Sequence, residues 1–222
     1  MKAVAIDGPA GAGKSSIAKQ AALELGFIYV DTGALYRVIA LNALTNNIDT
    51  QNEQAICDSL DLVKVELKFI NGSQCMFLND VDVSSEIRKP QVSMCASQVS
   101  AIPRVREFLF GLQQDIAAKN NVIMDGRDIG TVVLPNADVK IFLTASPEVR
   151  AKRRYREHIE RGESVDFDTL LEDIKKRDYN DSTRAISPLK QADDAVLADT
   201  SDLNLQESIE LVKSIILKKI AK

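Results

Sequence analysis

Apolar positions along this chain fall into two rhythms. Short, nearly continuous apolar runs stand at Ala3 to Asp7, Phe27 to Val30, Val122 to Asp125, Val139 to Thr144 and Ala195 to Ala198, with longer stretches of helical periodicity between several of them. Runs of that length predict buried strands, and their alternation with amphipathic helices predicts an α/β fold with a mostly parallel sheet. Between the first two strands, Ile17, Ala18, Ala21, Ala22 and Leu25 share one helical face, and Gly26 supplies the stop. Ser146-Pro147 reads as an N-cap followed by proline at the first helical position, opening a helix that runs to about Arg161 and ends at Gly162.

One region departs from this alternation. Val63, Val65, Leu67 and Phe69 alternate with Lys64, Glu66 and Lys68, and Asn71-Gly72 follows as a hairpin turn before a second β-rich run at Cys75 to Leu78. A small antiparallel insert is expected there, ending in helical sequence from Ser84 towards Asn120. No repeat or flexible linker interrupts the chain, so the expectation is one domain over residues 1–222 with local insertions.

Composition narrows the class. The 222 residues are 45% hydrophobic and 27% charged with a formal net charge of −4, which fits a folded chain and provides no global positive field for nucleic acid. Cys57, Cys75 and Cys95 are an odd number at wide spacings, neither a disulfide framework nor a zinc site, and are expected as reduced thiols. The apolar start Ala3 to Ile6 is too short for a signal-peptide core, and no run is long enough for a membrane span, so a cytoplasmic protein is expected.

The strongest chemical signal is Gly8-Pro9-Ala10-Gly11-Ala12-Gly13-Lys14-Ser15, followed by Ser16, which fits GxxxxGK[ST] between a predicted strand and a predicted helix. Glycines let the backbone wrap phosphate oxygens, the helix N-terminus adds partial positive charge, Lys14 reaches the β- and γ-phosphates, and Ser15 offers a hydroxyl to Mg²⁺. ATP and Mg²⁺ are therefore the expected cofactors. Asp125, ending an apolar strand, is the second candidate Mg²⁺ ligand; an aspartate capping the next turn is the alternative reading. Arg127 and Asp128 follow in the glycine-rich segment Gly126 to Gly130, at the end of a strand where open α/β sheets bind ligands, although a self-satisfied surface pair would look the same. Two more arginine-bearing segments, Asp31 to Arg37 and Arg177 to Arg184, could bring guanidinium forks to a second phosphate. Helical spacing places Arg150, Arg154 and Arg161 on one face of the helix after Pro147, with Arg153 nearby, either as a lid over the transferring phosphoryl group or as a solvated basic face. His158, the only histidine, reads as a surface residue.

Taken together, GPAGAGKSS, DTGALYR, the β-rich insert, ASQVSAIPRVRE, DGRDIG and RDYNDSTRAISPL resemble bacterial cytidylate kinase along nearly the whole chain. The resemblance implies a P-loop kinase fold: a central parallel five-stranded sheet flanked by helices, a monophosphate-binding insert at about 61–103 and a helical lid at about 150–166. It places Thr32, Tyr36, Arg37, Arg127 and Arg184 around the acceptor phosphate, Ser97, Arg106 and Asp128 against cytosine, and Arg177 and Asp181 near the acceptor ribose. It further implies ATP as donor, CMP or dCMP as acceptor, and Lys14, Arg127, Arg184 and Arg154 as the cations that meet the phosphoryl group in flight, in a monomer with no nucleic-acid or membrane partner. Thr32 stands where many relatives have serine, and Asn180 where some carry an extra arginine. Another small-molecule kinase, of UMP or shikimate type, is the nearer rival, and a nucleotide-dependent switch protein, for which no NKxD tetrad is found, the more distant one.

Overall fold

A computed structural model describes residues 1–221; Lys222, the last residue of the expected domain, lies outside them. The chain opens with β1 (Ala3–Asp7), α1 (Lys14–Leu25) and β2 (Ile28–Asp31), then α2 (Thr32–Thr45) and α3 (Glu53–Leu60). β3 (Val65–Ile70), β4 (Ser73–Leu78) and β5 (Val81–Asp82) precede α4 (Pro90–Val99) and α5 (Pro103–Lys119). The remainder is β6 (Val122–Gly126), β7 (Val139–Thr144), α6 (Pro147–Glu160), α7 (Phe167–Thr183), β8 (Val196–Asp199) and α8 (Leu205–Ile220). Two units divide the chain, one formed by residues 1–29 with the segment from Asn120 onward, the other by residues 30–119.

The first unit is organised by the parallel sheet, whose order is β2-β6-β1-β7-β8. All five predicted strands are present within a residue of their expected bounds. Central β1 pairs in parallel with β6, Asp7 opposite Gly126, and with β7, Asp7 opposite Phe142, so the ends of three strands converge next to the P-loop. Side chains of Val4, Ile6, Ile123, Val139, Ile141 and Leu143 make one sheet face, covered by Ile17, Ala18, Ala21 and Ala22 of α1 and Ile209, Val212 and Ile216 of α8. Truncating a fully buried residue such as Ile123 to alanine costs about 2–5 kcal/mol by lost transfer energy and cavity formation. α6 starts as its sequence dictates, with Ser146 Oγ accepting the Val149 N–H and Pro147 at the first position. It turns back as α7 over a small core of Ala151, Leu170 and Ile174, with the Tyr155 and Phe167 rings edge to face, centroids 5.9 Å apart.

The second unit has its own core, in which Leu35, Val38 and Ile39 of α2 pack with Ile56, Leu60, Met76, Ile87, Val92, Val105 and Leu109. The hairpin forms about Asn71-Gly72 as expected, with Val65 opposite Leu78 and Leu67 opposite Met76, and β5 adds a short third strand. The segment after Ser84 is not one helix. A 3₁₀ turn at Glu86–Arg88 precedes α4, which starts at Pro90, and the chain breaks again before Pro103 opens α5. Each proline lacks a donor and disfavours helix in the residue before it, so each begins a helix rather than continuing one. No described helix is long and apolar enough to cross a membrane.

Candidate active site

Residues 8–13 leave β1 and deliver the chain into the N-terminus of α1 at Lys14. Gly8 lies so close to β7 that a Cβ there would stand 1.9 Å from the Leu143 carbonyl oxygen, so only glycine fits. At the helix start the first N–H groups point out of α1, forming an anion site with the loop. The Lys14 ammonium is buried and donates to the Gly8 and Pro9 carbonyls at 2.7 and 2.8 Å. Burial, reinforced by the Arg127 guanidinium, pushes its pKa down to about 7 against the opposing pull of Asp125, Asp7 and Asp181. That is a cation stripped of water and lacking a dedicated carboxylate, poised for phosphate.

Ser15 Oγ, one residue into α1, donates to Asp125 Oδ2 at 2.8 Å, and Tyr29 Oη donates to Asp125 Oδ1 at 3.1 Å. Asp125 therefore sits beside the cradle instead of merely capping its own turn. A hydroxyl and a carboxylate oxygen within hydrogen-bond distance are hard donors suited to Mg²⁺, which takes few protein ligands and completes its shell with phosphate and water oxygens.

After Asp125 the chain forms a π-helical turn at Ile129–Val133. Its first two amides, Ile129 and Gly130, donate to the carboxylate of Asp7 at 2.8 and 2.7 Å. Burial pushes the Asp7 carboxyl up to about 6; the two amides and Lys14 oppose that rise and Asp128 adds to it. Asp7 was not singled out in the sequence, though it shares the feature that marked Asp125, a carboxylate closing an apolar strand. Asp128, buried, has Arg184 Nη2 at 3.9 Å from its Oδ1, while Arg127 Nε donates to Asp181 Oδ2 at 2.8 Å. Arg184 Nε is anchored on the Ser187 carbonyl at 2.7 Å. Arg127, Asp128, Asp181 and Arg184 are thus brought together with Lys14 and Asp125 in the first unit, and Arg177 stands one helical turn before Asp181 on α7.

The basic face of α6 resolves into separate roles. Arg150 is buried, donates to the Ala10 carbonyl at 3.0 Å and the Ala145 carbonyl at 2.8 Å, and makes a two-pronged pair with Asp178 of α7. It ties the P-loop to α6 and α7 and is not a free lid cation. Arg153 donates to the Thr200 carbonyl at 2.6 Å. Arg154 lies against the loop, its Cδ 3.6 Å from where a Cβ at Gly11 would stand, whereas Arg161 is exposed at the far end of α6. His158 pairs with Glu163 at the surface, and all three cysteines are free thiols.

The second unit carries its own cluster. Asp31 caps α2, Oδ1 accepting the Ala34 N–H at 3.1 Å, and its Oδ2 holds Arg37 Nη2 at 2.6 Å. Arg37 Nε is buried without a hydrogen-bond partner, a donor left over for an anion. Thr32 is buried at the start of α2, and Tyr36 presents its ring to the Arg106 guanidinium 5.4 Å away. Arg106 also donates to the Ser100 carbonyl at 3.0 Å, and the Ser100 hydroxyl donates to the carbonyl of Ser97, half-buried one turn earlier on α4.

Comparison with known proteins gives the family. The cytidylate kinase family model matches residues 4–218. A cytidylate kinase of Caldicellulosiruptor bescii is 49% identical over 217 residues, covering 98% of this chain and 96% of that protein. One of Lactobacillus johnsonii is 50% identical over 216 residues, covering 97% and 94%. Among solved structures, an uncharacterized protein from Eubacterium ventriosum shares the fold with a TM-score of 0.52 at 14% identity, covering 100% of this chain and 99% of that one.

Proposed function

The chain belongs to the cytidylate kinase family, and from that premise we propose that it transfers the γ-phosphoryl group of ATP to CMP or dCMP, giving ADP and CDP or dCDP. The observation that carries the reading is the buried carboxylate of Asp128, facing Arg184 and following directly on the strand end that supplies Asp125 beside the P-loop. A carboxylate accepts hydrogen bonds only, so it suits the N4 amino group of cytosine and repels the O4 carbonyl of uracil.

The P-loop from Gly8 to Ser16 holds the donor phosphates. Lys14 follows the charge that develops as an acceptor phosphate oxygen attacks the γ-phosphorus in line and the bond to the β-phosphate oxygen breaks. Arg127, Arg184 and Arg154 neutralise the equatorial oxygens. Ser15 and Asp125 would hold Mg²⁺, which when bound screens the β- and γ-phosphates. A phosphate monoester is already largely ionised near neutral pH, so no general base is assigned. On the acceptor, Thr32, Tyr36 and Arg37 join Arg127 and Arg184 as phosphate ligands, Ser97 and Arg106 join Asp128 in reading the base, and Arg177 and Asp181 hold the ribose. The segment at about 150–166, most of α6 and the turn after it, serves as the lid, the enzyme works as a cytoplasmic monomer in pyrimidine nucleotide metabolism, and residues 1–222 act as one kinase domain with a monophosphate-binding insert at about 61–103.

A coupled ADP-release assay with ATP, Mg²⁺ and a panel of CMP, dCMP, UMP, AMP, GMP and shikimate tests the assignment. CMP and dCMP should give the highest kcat/KM. Preference for AMP or shikimate overturns it.

A further inference from the structure

The inner face of the small antiparallel sheet is apolar at Val65, Leu67, Met76 and Leu78, all of which pack into the core of the second unit. Alternation along β4 puts Gln74 on that same face, two residues before Met76. A half-buried amide in an otherwise apolar row is costly unless both its ends find partners. Both do: Gln74 Oε1 accepts the Asp31 N–H at 2.8 Å, and Gln74 Nε2 donates to the Asp31 carbonyl at 3.1 Å and also reaches Met76 Sδ at 3.3 Å. The side chain thus imitates a strand neighbour for a single residue at the end of β2. That residue is also the cap of α2 and the carboxylate partner of Arg37.

We propose that Gln74 is a positioning residue for the acceptor phosphate: by fixing the Asp31 backbone from the insert, it sets the Asp31 carboxylate that aims Arg37. This rests on the reading of Arg37 as a phosphate ligand. The insert then has a task in catalysis beyond covering the core, since its register decides where Gln74 meets Asp31. Lys68 pairs with Cys75 and Phe69 with Gln74, and a slip of one residue would turn the amide to the opposite face.

The test is steady-state kinetics on the full chain. Gln74→Leu keeps the packing volume but removes both hydrogen bonds to Asp31; it should raise KM for CMP by ~5-fold or more while KM for ATP stays within ~2-fold. Gln74→Glu keeps an acceptor for the Asp31 N–H but sets a second carboxylate oxygen against the Asp31 carbonyl, so it should raise KM for CMP at least as far as Gln74→Leu does. Because Gln74 acts through Arg37, adding Gln74→Leu to Arg37→Ala should raise KM for CMP no further than Arg37→Ala does alone. If Arg37→Ala raises KM for CMP but Gln74→Leu does not, the proposal fails while the phosphate assignment stands. Loss of thermal stability with both KM values rising in step would make Gln74 merely structural and overturn it. An Arg37→Ala variant with unchanged KM for CMP would remove the reading and this inference together.

Discussion

In the first unit Lys14 and Asp7 are met by backbone groups, whereas in the second Arg37 is aimed by a chain of other side chains. Lys14 donates to two carbonyls of its own loop, and Asp7 receives two consecutive amides of the π-helical turn. Arg37 is held by Asp31, Asp31 by Gln74, and Arg106 rests on Tyr36. Backbone dipoles fixed by a parallel sheet reorganise little during reaction, which is what a transferring phosphoryl group requires. Holding charge there has a cost, visible in the raised carboxyl of Asp7 and the lowered ammonium of Lys14. Side-chain relays are less rigid and can be retuned one residue at a time, which suits the recognition of an acceptor.

If that contrast holds, the deepest losses of turnover come from the first unit. Lys14→Ala should leave a folded protein and lower kcat by at least ~100-fold, because it removes a desolvated charge aimed at the transition state; a near-normal kcat would show that the cradle does not carry the chemistry. A smaller effect is expected where a charge selects and does not transfer. Asp128→Asn supplies an amide that can donate to uracil O4, so the ratio of kcat/KM for CMP over UMP should fall by ~10-fold or more. Loss of both activities in parallel would reassign Asp128 to phosphate geometry and leave base reading to Ser97 and Arg106.

The smallest effect sharpens the comparison through pH. A carboxyl raised from 3.8 to about 6 keeps in the folded state a proton that the unfolded chain has released. Its contribution to stability is therefore complete below about pH 4 and lost as pH rises through about 6. The stability of wild type relative to Asp7→Asn, measured by urea unfolding, should decline by ~1–3 kcal/mol between pH 4.5 and pH 7 and then level off. A flat difference would mean that the two amides fully offset the cost of burial.

Legibility in the sequence follows from how local each feature is. The cradle was readable because its geometry needs glycines, a lysine and a hydroxyl at consecutive positions between a strand and a helix. The five parallel strands were readable because strands covered on both faces become continuous apolar runs. α2, α3, α7 and α8 were not singled out, and the break between α4 and α5 was missed although Pro103 marks it. The bonds from Asp7 to Ile129 and from Gln74 to Asp31 span 122 and 43 residues, and no spacing rule reaches so far. The basic face of α6 shows the limit clearly: helical periodicity grouped Arg150 with Arg154 and Arg161, but what each one meets depends on the neighbours the fold supplies.

By itself, then, the order of residues determined an α/β chain with a phosphate-binding loop, its parallel strands and the hairpin at Asn71-Gly72, because those depend on backbone conformation and period over a few adjacent positions. Tertiary structure alone decided that Arg150 joins Ala10 to Asp178, that Asp7 fastens the turn after Asp128, and that an amide from the insert steadies Asp31. Each of those outcomes places a polar group where water is excluded, and the partner that satisfies it is chosen by packing.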